Sequence, residues 1–311
     1  MGPLEAIARR PRISALAGAL CIAFSGIFFR FALVAPSTGT VFRCLYALPF
    51  LALLGYAEHR RYGPMRRDEI GIAVVAGLFF AADLTFWHHA IGAVGAGLAT
   101  VLGNMQVVVV ALVAWILFGE RPSRAVGLAL PVMLVGVVLI SGVVGSGAYG
   151  ANPPLGVLLG LLTAFSYAGY LIVTRHGNRD ARRPASALFL ATVSTALVAA
   201  VAGTALGEFD PLPSWPAHGW LLLLALTSQV AGYLLISFSL PRLPAVLTSV
   251  ILMAQPVATV VLAAVLLDEA PSVFQLAGVG LVIGGLLVAN LGRRSVAVAP
   301  AGVALPEQAV N

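Results

Sequence analysis

The sequence predicts an all-α integral membrane fold: ten transmembrane helices arranged as two inverted five-helix repeats. Three observations carry this reading. Apolar runs of about 20 residues, the length that crosses a ~30 Å hydrocarbon core, alternate with short polar breaks. Arginines cluster in every second break, and the second half repeats landmarks of the first at a fixed offset.

Composition sets the solvent. Of 311 residues, 60% are hydrophobic and 10% charged, with a mean hydropathy of +0.99. A soluble chain carries about 25% charged residues, so a soluble fold of this size would lack the polar groups to cover its surface. The net charge of +6 could suggest nucleic acid. All eighteen basic residues are arginines placed between apolar runs, however, so they mark topology and leave no basic face for a phosphate backbone. The lipid bilayer is the expected partner, and nucleic acid is not. Cys21 and Cys44 fall inside predicted spans and have no zinc-ligand spacing. Arg9, Arg10 and Arg12 precede an apolar run too long for a signal peptide, so the segment reads as a retained first span.

Periodicity and turn residues place the first five spans at Ile13–Val34, Thr38–Tyr56, Ile70–Ile91, Gly95–Phe118 and Arg124–Val144. The second five are Pro154–Thr174, Ala185–Leu206, Gly219–Ser239, Pro244–Leu267 and Ser272–Leu291. The two domains are therefore residues 13–144 and 154–291, joined by the Gly-rich linker 145–153. Residues 295–311 read as a tail. With the N-terminus in the cytoplasm, sixteen of the eighteen arginines fall in inner breaks and none in an outer loop. Glu208, Asp210, Asp268 and Glu269 fall outside, with Trp215 and Trp220 as interfacial anchors. Both termini are then cytoplasmic.

The repeat is direct. At an offset of 149 residues, Glu120 meets Glu269, Gln106 meets Gln255, Pro122 meets Pro271, Ser123 meets Ser272 and Gly136 meets Gly285. Ala23–Ser25 and Ala164–Ser166 both read AFS. Five spans is an odd number, so the second copy enters the membrane inverted, an arrangement characteristic of transporters. Glu120 and Glu269 would cap or brace their turns on opposite sides.

Two segments, GAGLATVLGNMQVVVVALVAWILFGE at Gly95–Glu120 and PAVLTSVILMAQPVATVVLAAVLLDE at Pro244–Glu269, each end in an acid before a proline-containing turn. On these the chain resembles the drug/metabolite transporter superfamily, specifically its ten-span EamA-type members, over about Ile13 to Arg294. Trp87, His88, His89 and the overall pattern look most like the aromatic amino-acid and methionine exporters of the YddG type. The resemblance implies a bacterial inner-membrane carrier that moves amino acids or related small amphipathic metabolites outward by alternating access. It also implies a central cavity lined by spans one, three, four, six, eight and nine. A drug or nucleotide-sugar carrier of the same superfamily is the runner-up, and a scaffold or sensor without transport is the third reading.

Charges within the bilayer cost about 2.5–3.5 kcal/mol on insertion scales, which makes such residues candidates for function. Arg30, Arg43 and Asp83 lie roughly 6, 8 and 12 Å below the outer surface at ~1.5 Å per residue. An arginine meeting a substrate carboxylate, with Asp83 meeting an amine or a proton, is one reading. A structural Arg–Asp pair, with the second arginine snorkelling to the headgroups, is the other. The remaining substrate-binding candidates are Trp87, Tyr46, Asn104, Tyr167, Tyr170, Gln229, Tyr233 and Gln255. Trp87 is one turn from Asp83, while Thr163, Tyr167, Tyr170 and Thr174 share a face of span six. Asn104 and Gln106 lie about 200° apart on an ideal helix, too far to face one cavity. Only one of His88 and His89 can face the bundle. Glycines 278, 280, 284 and 285 suit close packing within the bundle or in a dimer. No phosphate loop, HExxH, GxSxG or metal-ligand cluster is present, so no catalytic residue, metal or cofactor is expected, and the partner is a small-molecule substrate.

Overall fold

The structure, a computed structural model, describes residues 10–119, 121–177, 183–239, 243 and 245–291, and among these it contains helices and turns but no strand. Span one is α1 (Pro11–Ala23) followed by α2 (Ser25–Ala32). Span two is α3 (Pro36–Tyr62) and span three α4 (Arg67–Val94). Span four divides into α5 (Ala96–Gly103) and α6 (Gln106–Phe118), and span five is α7 (Arg124–Ile140). Spans six and seven are α8 (Pro153–Gly177) and α9 (Pro184–Leu206). Span eight runs through α10 (Trp215–Leu224), a π-helical segment (Ala225–Gly232) and α11 (Tyr233–Ser239). Spans nine and ten are α12 (Ala245–Leu266) and α13 (Val273–Leu291). Eight spans are long and apolar enough to cross a bilayer, and Arg124–Ile140 and Ile251–Leu266 are shorter apolar helices. The fold is thus the expected ten-helix membrane bundle.

Several boundaries differ from the sequence reading. Helices α3 and α4 extend past the apolar stretch through Glu58–Arg61 and Arg67–Glu69, because the hydrogen-bond ladder continues where hydropathy stops. Trp215, placed before span eight by sequence, lies in the first turn of α10, and Trp220 in its second. Trp220 packs its ring on Phe28 and Phe31 of α2. Glu120 lies outside the described residues.

Helices of the first half pack chiefly on helices of the second. The largest interfaces join spans three and six, one and eight, five and ten, and two and seven. Exchanging the halves maps interfaces onto one another: spans one and eight correspond to six and three, and one and nine to six and four. Small residues permit the approach. A Cβ added to Gly136 would lie 2.7 Å from Gly278 O, and one on Gly285 would strike Met133. Spans five and ten therefore meet backbone to backbone within the chain, whereas Gly280 and Gly284 face open space. Hydroxyls add cross-links: Ser194 Oγ donates to Val74 O and Thr195 Oγ1 to Gly77 O, each at 3.0 Å.

Loop contacts sort into two ends. At the arginine-rich end, Arg183 donates to Tyr62 O and Pro64 O, and Glu58 accepts from the backbone N–H of Ala185 and Ser186 at the start of α9. At the acidic end, Glu208 accepts from Ser37 Oγ at 3.0 Å and pairs with His89 Nε2 at 3.1 Å. Gln275, fully buried, uses both ends of its amide. Its Oε1 accepts from Tyr149 N and Ser272 N, and its Nε2 donates to Ile140 O and Tyr149 O, which ties the linker to span ten.

Glu269 does not brace its own turn. It reaches span four, where Oε1 accepts from Ala96 N at 2.6 Å and Oε2 from Gly97 N at 3.1 Å. It thereby caps the N-terminus of α5, where orphan N–H groups and the helix dipole favour an anion. Gly95 must be glycine here: its φ is +93°, and a Cβ would sit 2.7 Å from the Glu269 carboxylate. Burial pushes the Glu269 carboxyl above its ordinary range, a shift opposed by the two N–H donors and by the positive charge of Arg30.

Replacing Glu269 with Ala leaves two buried N–H groups without acceptors, and lost charge-assisted bonds of this kind cost about 1.5–3 kcal/mol. Glu269→Ala should lower the melting temperature of the detergent-purified protein, with Glu269→Gln intermediate. An unchanged melting temperature in Glu269→Ala would refute the capping role.

Candidate functional site

A cavity of about 190 Å³ lies among the helices. Its wall takes Ile22 and Ser25 from span one, Asp83, Leu84 and Trp87 from span three, and Thr100, Gly103, Asn104, Gln106 and Val107 from span four. Thr163 and Tyr167 come from span six, Tyr233 and Ile236 from span eight, and Leu252, Met253 and Gln255 from span nine. Arg43 of span two and Asn290 of span ten complete it.

Irregular backbone surrounds this space. Span one breaks at Phe24, and Thr259 Oγ1 lies 3.1 Å from the Ala23 carbonyl oxygen beside the break. Span four breaks at Asn104 and Met105, where Met105 N, Val107 N and Val108 N each bond a carbonyl three residues back. That tighter, 3₁₀-type turn advances about 120° per residue instead of 100°. Asn104 and Gln106 are thereby brought closer around the axis, and both line the cavity, contrary to the expectation from an ideal helix. Asn104 Nδ2 also donates to Thr100 O at 2.8 Å. In span nine, Pro256 has no N–H, which frees the carbonyl of Leu252 at the cavity wall.

The π segment of span eight positions Arg43. Arg43 Nε donates to Gln229 Oε1 at 3.0 Å and Nη2 to Ser228 Oγ at 3.4 Å, both partners lying in the π segment. Gln229 in turn donates through Nε2 to Thr192 Oγ1 at 3.3 Å. Gln229, read from sequence as a substrate ligand, is fully buried and serves as the anchor of Arg43. One edge of the guanidinium is thus fixed. The other nitrogen, Nη1, is buried without a hydrogen-bond partner, as is Thr163 Oγ1 across the same cavity. Arg43 itself is only 2% exposed.

Asp83 is 7% exposed and makes no hydrogen bond or ion pair among the described residues. The structural Arg–Asp pair weighed from sequence is therefore not formed. Arg43 and Asp83 both line the cavity, with no ion pair between them among the described residues. Rings of Trp87, Tyr167 and Tyr233 line the same space.

Other expected residues lie elsewhere. Arg30 is exposed on the last turn of α2 and does not line the cavity. It sits at a helix C-terminus, where a cation is favoured, and its field acts on Glu269 and Tyr149 at the acidic end. Tyr46 points to span eight, with its hydroxyl 2.6 Å from His218 Nδ1. Tyr170 lies one turn beyond Tyr167 and stacks on Phe80 at 5.0 Å between centroids. Both histidines are engaged: His88, stacked on Phe29, lies 2.8 Å from Thr40 Oγ1, while His89 reaches Glu208. Sequence reasoning did not single out Ser25, Thr100 or Asn290 as lining residues, whereas Thr163 was placed with Tyr167 on one face of span six. Ser25 had a signal in the repeated AFS; a lone threonine or asparagine at the other two positions gave none.

Comparison with known proteins agrees with this architecture. An uncharacterized transporter of Synechocystis sp., sll1319, is 25% identical over 262 residues, covering 80% of this chain and 77% of that protein. A solved structure, described only as the crystal structure of a protein, superposes with a TM-score of 0.60, covering 91% of this chain and 97% of its own; at 19% identity it shares the fold. The EamA-like transporter family matches twice, over residues 11–142 and again over 154–291. Matched over nearly the whole described bundle, the chain belongs to the EamA-like transporter family.

Proposed function

We propose that this transporter exports amino acids, aromatic residues and methionine among them, or closely related amphipathic metabolites, by alternating access of the central cavity. The observation that carries the proposal is that Arg43 and Asp83 both line the cavity with no ion pair between them, and that Arg43 Nη1 has no partner among the described residues. Two buried charges gain most by pairing with each other. Held apart by the Gln229 and Ser228 anchor, they instead suit a ligand that brings both counter-charges. Its carboxylate would meet Arg43 Nη1 and its ammonium Asp83, with Trp87, Tyr167 and Tyr233 giving cation–π and stacking surface. Ile22, Val107, Ile236, Leu252 and Met253 supply an apolar wall for a hydrophobic side chain. A nucleotide sugar would call for more than one cation. A cationic drug would suit Asp83 and the rings but would leave Arg43 without a partner.

For orientation, we take the arginine-rich end as cytoplasmic, in a bacterial inner membrane, from the charge rule. Single cysteines at Ser146 and Ser214, both exposed at the acidic end, should then be labelled by a membrane-impermeant thiol reagent from the periplasm in a background lacking Cys21 and Cys44. Labelling of either from the cytoplasm alone would reverse the assignment.

Asp83→Asn should reduce amino-acid transport in proteoliposomes about tenfold or more, the scale of ~1.4 kcal/mol of lost binding. Its thermal stability should be unchanged or slightly raised, since no cation depends on Asp83 for a partner. Breaking a true buried pair would cost about 3–5 kcal/mol, so a large drop in melting temperature would restore the structural reading. Arg43→Gln should lose both transport and stability, because it strands Gln229 and Ser228.

Trp87→Ala should impair transport of aromatic and thioether substrates more than Phe118→Ala, whose ring lies at the far end of span four, half exposed and away from the cavity. Equal losses at matched expression would assign Trp87 a purely structural role.

A further inference from the structure

A second cavity, of about 120 Å³, opens toward the arginine-rich end between spans three, six, seven and eight. Glu69 and Ile72 near the start of α4, Thr174 near the end of α8, and Pro184 and Ala187 at the start of α9 line it. Tyr233 lines this cavity and the central one alike. Spanning the interval is a continuous group of rings. Tyr167, on the central cavity, stacks on Tyr170, on the second, at 5.5 Å between centroids. Tyr170 stacks on Phe80, and Phe80 meets Tyr233 edge to face at 5.9 Å. Phe80 is fully buried between them.

From this arrangement we infer that the second cavity is a vestibule on the transport path and that Tyr233, seated against Phe80 and Tyr170, is the gate between it and the central cavity. Among the described residues Tyr233 is the one wall residue common to both spaces, so removing its ring opens the partition that it makes with Phe80, Tyr170 and Tyr167. Its backbone is also placed to move. Tyr233 directly succeeds the π segment, whose wide turn holds one residue more than an α turn. Relaxing that turn to α geometry shifts the register by one residue, a rotation of about 100° for α11. The same segment carries Ser228 and Gln229, the anchors of Arg43. A ligand that draws on Arg43 therefore pulls on the turn that sets Tyr233. Ring packing makes the seal.

The inference rests on the alternating-access reading but not on the identity of the substrate, and thiol labelling tests it without any substrate. In a background lacking Cys21 and Cys44, place one cysteine at Ala187 in the vestibule or at Ser25 in the central cavity. Then measure the rate of reaction with a membrane-impermeant maleimide in inverted and right-side-out vesicles. With Tyr233 or Tyr233→Phe, which keeps the ring, the Ala187 cysteine should react from the arginine-rich side and the Ser25 cysteine slowly. In Tyr233→Ala the Ser25 cysteine should react at least tenfold faster from that side, with the Ala187 rate unchanged as the control for an intact fold. Should Tyr233→Ala fail to fold, Tyr233→Trp should slow Ser25 labelling severalfold by thickening the partition. Equal Ser25 rates across the folded variants, or an Ala187 cysteine that does not react from the arginine-rich side, would overturn the inference.

Discussion

Hydrocarbon offers no water to a polar group, and every feature of this bundle stems from that constraint. Helices satisfy their own backbones except at their ends and breaks, so the ends and breaks are where side chains are recruited. Glu269 on Ala96 and Gly97, Glu58 on Ala185 and Ser186, and Gln275 on the linker are three solutions to one problem. In each case the side chain and the backbone it satisfies come from different spans, and Glu269 and Glu58 reach from one half of the chain to the other. At Glu269 and Glu58 the polar bonds that close helix ends thus also join the halves. Packing reinforces them, since the broadest helix interfaces also cross between halves.

Against that background the exceptions stand out. Among the described residues, Arg43 Nη1 and Thr163 Oγ1 are buried without partners, and Asp83 is buried without a hydrogen bond. All three border one cavity, and the backbone around it is irregular in spans one, four and eight and carries a proline in span nine. Other buried atoms without a partner among the described residues, His88 Nε2, Thr174 Oγ1 and Ser239 Oγ, do not line this cavity. What marks the site is that a guanidinium, a carboxyl and a hydroxyl converge on one space. Arg43 shows how such a group is kept in place: two of its nitrogens are held by the π segment while the third is buried without a partner among the described residues. This divided use of one guanidinium fixes its geometry and preserves an open donor, a form of preorganisation.

Much of the fold was legible in the sequence because membrane insertion reads sequence locally. Apolar runs named all ten spans, and the 149-residue offset identified Glu269 and Gly136 with Gly285 as special before any contact was known. Parts of the site were legible for the same reason: an aspartate or arginine within an apolar run is conspicuous, and Asp83, Arg43 and Trp87 all reach the cavity. Arg30 was equally conspicuous yet lies at a helix end. Depth along a helix comes from counting residues, whereas direction around the bundle does not.

Composition and spacing by themselves determined the solvent, the number of crossings and the repeat, since each is a property of a stretch of chain independent of its neighbours. Only the tertiary structure decided which helices touch, and with that, which polar groups find partners. Gln229 reads as a cavity ligand until Arg43 is placed beside it. Asn104 and Gln106 read as opposed until span four breaks between them. Arg43 and Asp83 read equally well as a closed pair or as an open site, because two charges at similar depth need not meet. That outcome was set by Ser228 and Gln229, nearly 190 residues away in sequence, through a turn whose π geometry no local pattern announced.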